Sequence, residues 1–153
     1  MNRYPLIAYT NNRPAGGAGD ARGPFIRIRK GYEADEGLYQ HQLRHAKQWV
    51  AAGLLLGTLN AALAWWLAPF GVLSPFQAAL ALGGVSAIAG HDFLYRYVTE
   101  YRATAEADAF RTQMRYPRRN GVPLSVDEAA QRLAGRRYKL GITYDHARAL
   151  LKS

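Results

Sequence analysis

The chain has 153 residues, enough for one domain with a real hydrophobic core. Its 20 Lys and Arg against 11 Asp and Glu give a formal charge of +9, which points to an anionic partner, either lipid headgroups or nucleic acid. The chain has no cysteine, so disulfides and thiolate metal sites are excluded, and the strong metal ligands left are the four histidines and the carboxylates.

Met1-Asn2-Arg3-Tyr4-Pro5 opens no long apolar run and lacks the form of a secretory signal, so the chain is expected to start in the cytoplasm. Residues 1–23 are rich in Gly, Pro, Asn and Arg. They are expected to form a flexible N-terminal segment, with no regular element over 11–20. A single domain is expected over 24–153. It opens on Pro24-Phe25-Ile26-Arg27-Ile28-Arg29-Lys30, whose period of two predicts a half-buried strand. Ile26 and Ile28 share one face and Arg27 and Arg29 the other, as in an edge strand whose basic residues discourage pairing. Glu33, Asp35 and Glu36 then stand where a helix begins, and negative charge there suits the positive end of its dipole.

That helix carries His41-Gln42-Leu43-Arg44-His45. Two histidines four residues apart lie on one helical face, within reach of one ion. The metalloprotease signature is H-E-x-x-H, in which the histidines bind zinc and the glutamate is the general base. Here both ligands are present and Gln42 stands in place of the base. Glutamine has the shape of glutamate but takes no proton near neutral pH.

Residues 49–90 contain no Asp, Glu, Lys or Arg. The stretch 49–68 meets the length of a membrane span, about 20 residues. A turn is expected over 69–75, and 76–90 is a second, shorter apolar segment rich in Ala and Gly, small residues that let helices approach closely. Trp49, Trp65 and Trp66 fall near the ends of the first segment, as interface aromatics do, and Arg44, Lys47, Arg96 and Arg102 flank the pair. By the positive-inside rule both ends then lie in the cytoplasm. The other reading is a helical hairpin buried in a soluble protein or an assembly.

Residues 91–116 return to charged helical sequence and include Glu106-Ala107-Asp108-Ala109. A catalytic zinc site needs a third protein ligand beside the histidine pair, with water in the fourth position. Glu106 is the candidate and Glu100 the alternative, while His91 and His146 have no partner at ligand spacing. Ser125-Val126-Asp127-Glu128 reads as a capping box opening a helix to about Arg136, and Thr143 as the cap of a last helix with Ala147, Leu150 and Leu151 as its apolar stripe. This pair reads as scaffold.

The order of strand, acidic turn, Leu38-x-x-His41-x-x-x-His45-x-x-Gln48-Trp49, apolar segment, and Glu106-Ala107-x-Ala109-Phe110-x-x-Gln113 resembles small zincin-type, gluzincin-like metallopeptidase-like proteins encoded in bacteriophage genomes. The resemblance is clearest over residues 25–113. It implies a mainly α fold with a short N-terminal β-strand, minimal zincin-like metal-site helices and an apolar helical hairpin inserted over 49–90. It implies zinc held by His41, His45 and Glu106, with Gln42 at the position of the catalytic glutamate. Two departures stand out: the glutamine removes the general base, and the apolar insert exceeds what a minimal zincin needs. Either the chain is a natural pseudoenzyme kept for its shape, or a glutamate was replaced to inactivate it.

The function expected is that of a zinc metallopeptidase-like phage protein, inactive as written, acting on a peptide or protein substrate in the host cytoplasm or at its cytoplasmic membrane. The competing reading is a structural or membrane-associated phage protein, the virion included, that uses the hairpin for anchoring or assembly. Nucleic-acid binding through Arg115, Arg118, Arg119, Arg132, Arg136 and Arg137 ranks last, because no nucleic-acid fold signature accompanies them.

Overall fold

The structure, a computed structural model, describes residues 6–12, 17–67 and 74–153. The expectations for residues 1–5 and 13–16, and for most of the turn at 69–75, lie outside the described residues. Among those described, the chain is mainly helical with a short N-terminal sheet and two long apolar helices. It divides into two compact units, residues 1–46 with 99–153, and residues 47–98. The second unit, from 47 to 98, contains the apolar insert expected over 49–90.

The first unit opens on three strands, β1 (Ile7–Thr10), β2 (Gly19–Arg22) and β3 (Phe25–Arg29). The expected strand is present as β3, but it is the central strand: β1 pairs with it in parallel and β2 antiparallel. Two strands therefore lie within the segment expected to be irregular. Each has four residues, and each is specified by pairing with β3 rather than by its own composition. Gly23, with φ at 57°, makes the tight turn between β2 and β3, where primed hairpin turns need positive φ. Arg27 does not keep partners away from β3. Its guanidinium forms an ion pair with Asp20, directly opposite on β2. On the other face Ile26 and Ile28 are fully buried, packed with Ala46 and with Leu38 and Leu43 of the first helix.

That helix, α1 (Glu36–Leu67), is a single run of 32 residues. Asp35 caps it by accepting a hydrogen bond from the Leu38 N–H at 2.8 Å. After α2 (Pro75–Tyr97), the helix α3 (Thr99–Gln113) returns to the first unit, and α4 (Val126–Ala134) and α5 (Tyr144–Lys152) follow. These three surround a core of Phe110, Leu124, Leu133, Leu140 and Leu151 with alanines between them. The small side chains Ala103, Ala105, Ala107 and Ala109 let α3 be covered on most of its circumference. Both sequence-predicted caps are formed. Ser125 and Glu128 close a reciprocal capping box, and Thr143 accepts from the His146 N–H at 3.2 Å. Ser125→Ala is expected to lower the stability of the first unit by about 1 kcal/mol in urea unfolding. An unchanged midpoint would show that the cap contributes nothing.

The second unit is a helical hairpin whose helices run antiparallel, since successive contacts pair Gly57 with Ala87, Ala61 with Gly83 and Ala64 with Ala78. The approach is close enough that glycine is required. A Cβ on Gly53 would stand 2.4 Å from the Ala87 carbonyl oxygen, and one on Gly83 would stand 2.8 Å from the Ala61 Cβ. A polar pair crosses this interface, Asn60 Nδ2 donating to Ser86 Oγ at 2.9 Å. Ser74 and Gln77 form a capping box at the start of α2, with Pro75 in its first turn. α2 then continues through His91 to Tyr97 before breaking at Val98, so the second apolar helix is longer than its uncharged segment.

Candidate metal site

The start of α1 meets the end of α3 at Gly37. A Cβ there would lie 3.2 Å from the Tyr116 carbonyl oxygen and 3.3 Å from Gln113 Cγ, and the Gly37 N–H donates to the Pro117 carbonyl at 2.9 Å. One turn further along α1, the ring of His41 packs edge-on against Phe110, with centroids 4.8 Å apart. One turn further still, His45 reaches Glu106, and Arg44 pairs with Asp108. The helical repeat thus carries the histidine face of α1 along the Glu106 face of α3.

His41, His45 and Glu106 converge. His41 Nε2 and His45 Nε2 lie 3.2 Å apart, and they lie 3.6 and 3.5 Å from Glu106 Oε2. Two nitrogens and one oxygen bound at tetrahedral angles to a single ion at 2.0–2.1 Å stand roughly 3.3–3.4 Å from one another. The triangle already has the dimensions of a closed coordination face. The residues form a buried His-His-Glu group able to hold a metal ion, and their chemistry suits it.

Protonation is set by the surroundings. Burial lowers the His41 pKa, outweighing the opposing effects of Glu106 and Gln113, so the ring is held neutral. Burial pushes the Glu106 carboxyl up, but the two histidines outweigh it and hold the group well below the usual carboxylate range. A neutral imidazole and an ionised carboxylate are the forms that ligate metal.

Gln42, one residue after the first ligand, is buried and leans toward the sheet. A Cβ on Gly19 of the edge strand β2 would stand 3.3 Å from Gln42 Cγ. The wall of the site includes residues that the sequence did not single out for it. Phe110 lies between His41 and Tyr138, with its ring 5.7 Å from that of Tyr138. Burial first, and then the charge of Glu106, raise the Tyr138 pKa. Gln113 is buried and close enough to His41 to favour its protonated form. Phe110 and Gln113 stand in the sequence motif that carries Glu106, one and two helical turns from it, but the motif assigned neither of them to the site. Tyr138 is brought in from a connection whose backbone turns at Lys139, with φ at 51°, and Arg102 donates to the Lys139 carbonyl there at 2.8 Å.

Glu100, the alternative ligand, is exposed at the start of α3 and lies outside the group, as do His91 and His146. No protein-family model matches this chain, and no curated protein or solved structure matches it either.

Proposed function

We propose that the protein is a zinc-binding, metallopeptidase-like protein of the zincin type, encoded by a bacteriophage, in which the metal centre is intact and the general base is missing. The observation that carries this reading is the triangle of His41 Nε2, His45 Nε2 and Glu106 Oε2, with sides of 3.2 to 3.6 Å. The donor set of two imidazoles and one carboxylate supports zinc over calcium or magnesium, which take oxygen ligands. When bound, zinc would lower the pKa of its water and polarise a carbonyl.

The chain's own residues set the chemistry open to the site. His41 and His45 present ring nitrogens from one face of α1, and Glu106 supplies the balancing charge from α3. On this reading Gln42, which stands where H-E-x-x-H has its glutamate, would hydrogen-bond a nucleophilic water. An amide accepts no proton from that water near neutral pH, so the proton transfer that H-E-x-x-H enzymes assign to this position has no acceptor here. On this reading a peptide or protein segment is bound without being cleaved at an appreciable rate. The location would be the host cytoplasm or its cytoplasmic membrane.

The test is zinc titration of the purified chain, with elemental analysis of the product. One zinc per chain is expected. His45→Ala and Glu106→Ala should each weaken binding by more than about 100-fold, because loss of a group that merely hydrogen-bonds a ligand already costs about 10–100-fold. Gln42→Ala should leave the stoichiometry unchanged. A native chain that takes up no zinc from a stoichiometric solution would overturn the proposal.

A further inference from the structure

We infer that residues 47–98 insert into a lipid bilayer as a two-helix hairpin, entering and leaving on the same, basic side. This goes beyond the metal-site reading and does not depend on it.

Both helices have the length. Residues 49–67 of α1 and 75–91 of α2 contain no Asp, Glu, Lys or Arg, and at 1.5 Å per residue they rise about 28 and 25 Å, close to the hydrocarbon thickness of a bilayer. Both also have the hydropathy of a span, and their apolar windows are only 17% and 11% buried. Helices this apolar in a water-soluble fold would be the covered ones.

The arrangement of side chains is reversed from that of a soluble helical pair. Glycines and alanines fill the helix–helix seam, whereas Leu54, Leu59, Leu80, Val85 and Ile88 point outward, each more than half exposed. In water the large apolar residues would occupy the seam and polar ones the outside. In lipid there is no apolar drive between helices, so close backbone packing and an interhelical hydrogen bond hold the pair, here Gly53, Gly57 and Gly83 with Asn60 and Ser86. Asn60, the polar residue midway along the first segment, is thereby satisfied inside the pair.

The two ends of the hairpin differ in the way a bilayer requires. Trp65 and Trp66 lie exposed at the closed end, at the depth where interface aromatics sit. Lys47 and Arg96 lie exposed at the open end. Of the four flanking basic residues, these two remain for headgroups, since Arg44 pairs with Asp108 and Arg102 donates to the Lys139 carbonyl. Cationic residues at the open end and none at the closed end set the orientation.

The chain has no native cysteine, which makes the test direct. Val72→Cys and Ser153→Cys are made separately in the full-length protein, and inside-out inner-membrane vesicles are treated with a membrane-impermeant maleimide. Ser153→Cys should react at once, and Val72→Cys only after detergent opens the vesicles. The native chain should also float with vesicles of phosphatidylcholine and phosphatidylglycerol after a carbonate wash. Leu59→Arg with Ile88→Arg places two charges on outward faces and should reduce that fraction by roughly 100-fold or more. Its circular dichroism is to match the native helical content. Immediate labelling of both cysteines would overturn the inference. So would a chain that stays in detergent-free buffer as a monodisperse monomer or dimer, because the apolar faces would then be covered by protein.

Discussion

Replacing Gln42 by glutamate is expected to raise peptide-bond cleavage by about 10²–10⁴-fold over the chain as it stands, the usual contribution of general acid–base catalysis. The gain comes from a single atom at the end of the side chain. Glutamate and glutamine share a shape, so Gln42→Glu changes the acceptor without changing the packing against β2, where Gly19 leaves just enough room. Zinc content should be the same in both forms, because the proposed ligand atoms come from His41, His45 and Glu106. The measurement is single-turnover cleavage of a peptide library read by mass spectrometry, with both proteins loaded with zinc. Equal rates for the two forms on a peptide that is cleaved would show that position 42 carries no base. Gly19→Ala in the Gln42→Glu background should reduce the gain, since the added methyl meets the side chain at 42, Leu38 and the Arg27 carbonyl together.

Phe110→Ala is expected to destabilise the first unit by about 3–5 kcal/mol, the range for emptying a buried aromatic site. Phe110 is 1% exposed and touches both the α4–α5 core and the His41 ring. Its loss opens the core and frees the imidazole it packs against, so zinc affinity should fall along with the unfolding midpoint. Urea unfolding monitored by near-ultraviolet circular dichroism measures the first effect, and zinc titration the second. Val122→Ala, at an exposed position, should stay within about 0.5 kcal/mol of the native chain. A Phe110→Ala loss below about 1 kcal/mol would mean that the core closes over the gap.

The site was legible to the extent that it is helical and local. A four-residue spacing fixes two side chains on one face whatever the fold, so His41 and His45 could be paired from sequence. Glu106 could be chosen over Glu100 from the motif around it, and the structure places Glu106 in the group. The caps at Ser125 and Thr143 were legible for the same reason, since each depends on residues within one turn. Non-local pairing was not legible. β1 meets β3 in parallel although β2 lies between them in sequence, and nothing in Ile7–Thr10 announces that partner. Arg27 read as a residue that repels neighbours because its counter-ion, Asp20, sat in a stretch taken for a loop. The length of α2 was underestimated because charge returns at Asp92 while the helix continues. Tyr138 was missed because it arrives through a turn rather than a helical repeat.

The first unit is built from both ends of the chain, with the hairpin between them in sequence. Arg44 and Asp108, which join α1 to α3 beside the site, are 64 positions apart. During synthesis the histidines leave the ribosome first, the apolar helices next, and Glu106 with its supporting core last. A nascent chain arrested before residue 99 holds a complete hairpin and two of the three residues of the candidate metal site. Any ion held by His41, His45 and Glu106 would therefore find its full set of ligands only after the hairpin has been made. A premature stop before residue 99 would yield an apolar fragment that keeps His41 and His45 but lacks α3, α4 and α5, which cover them.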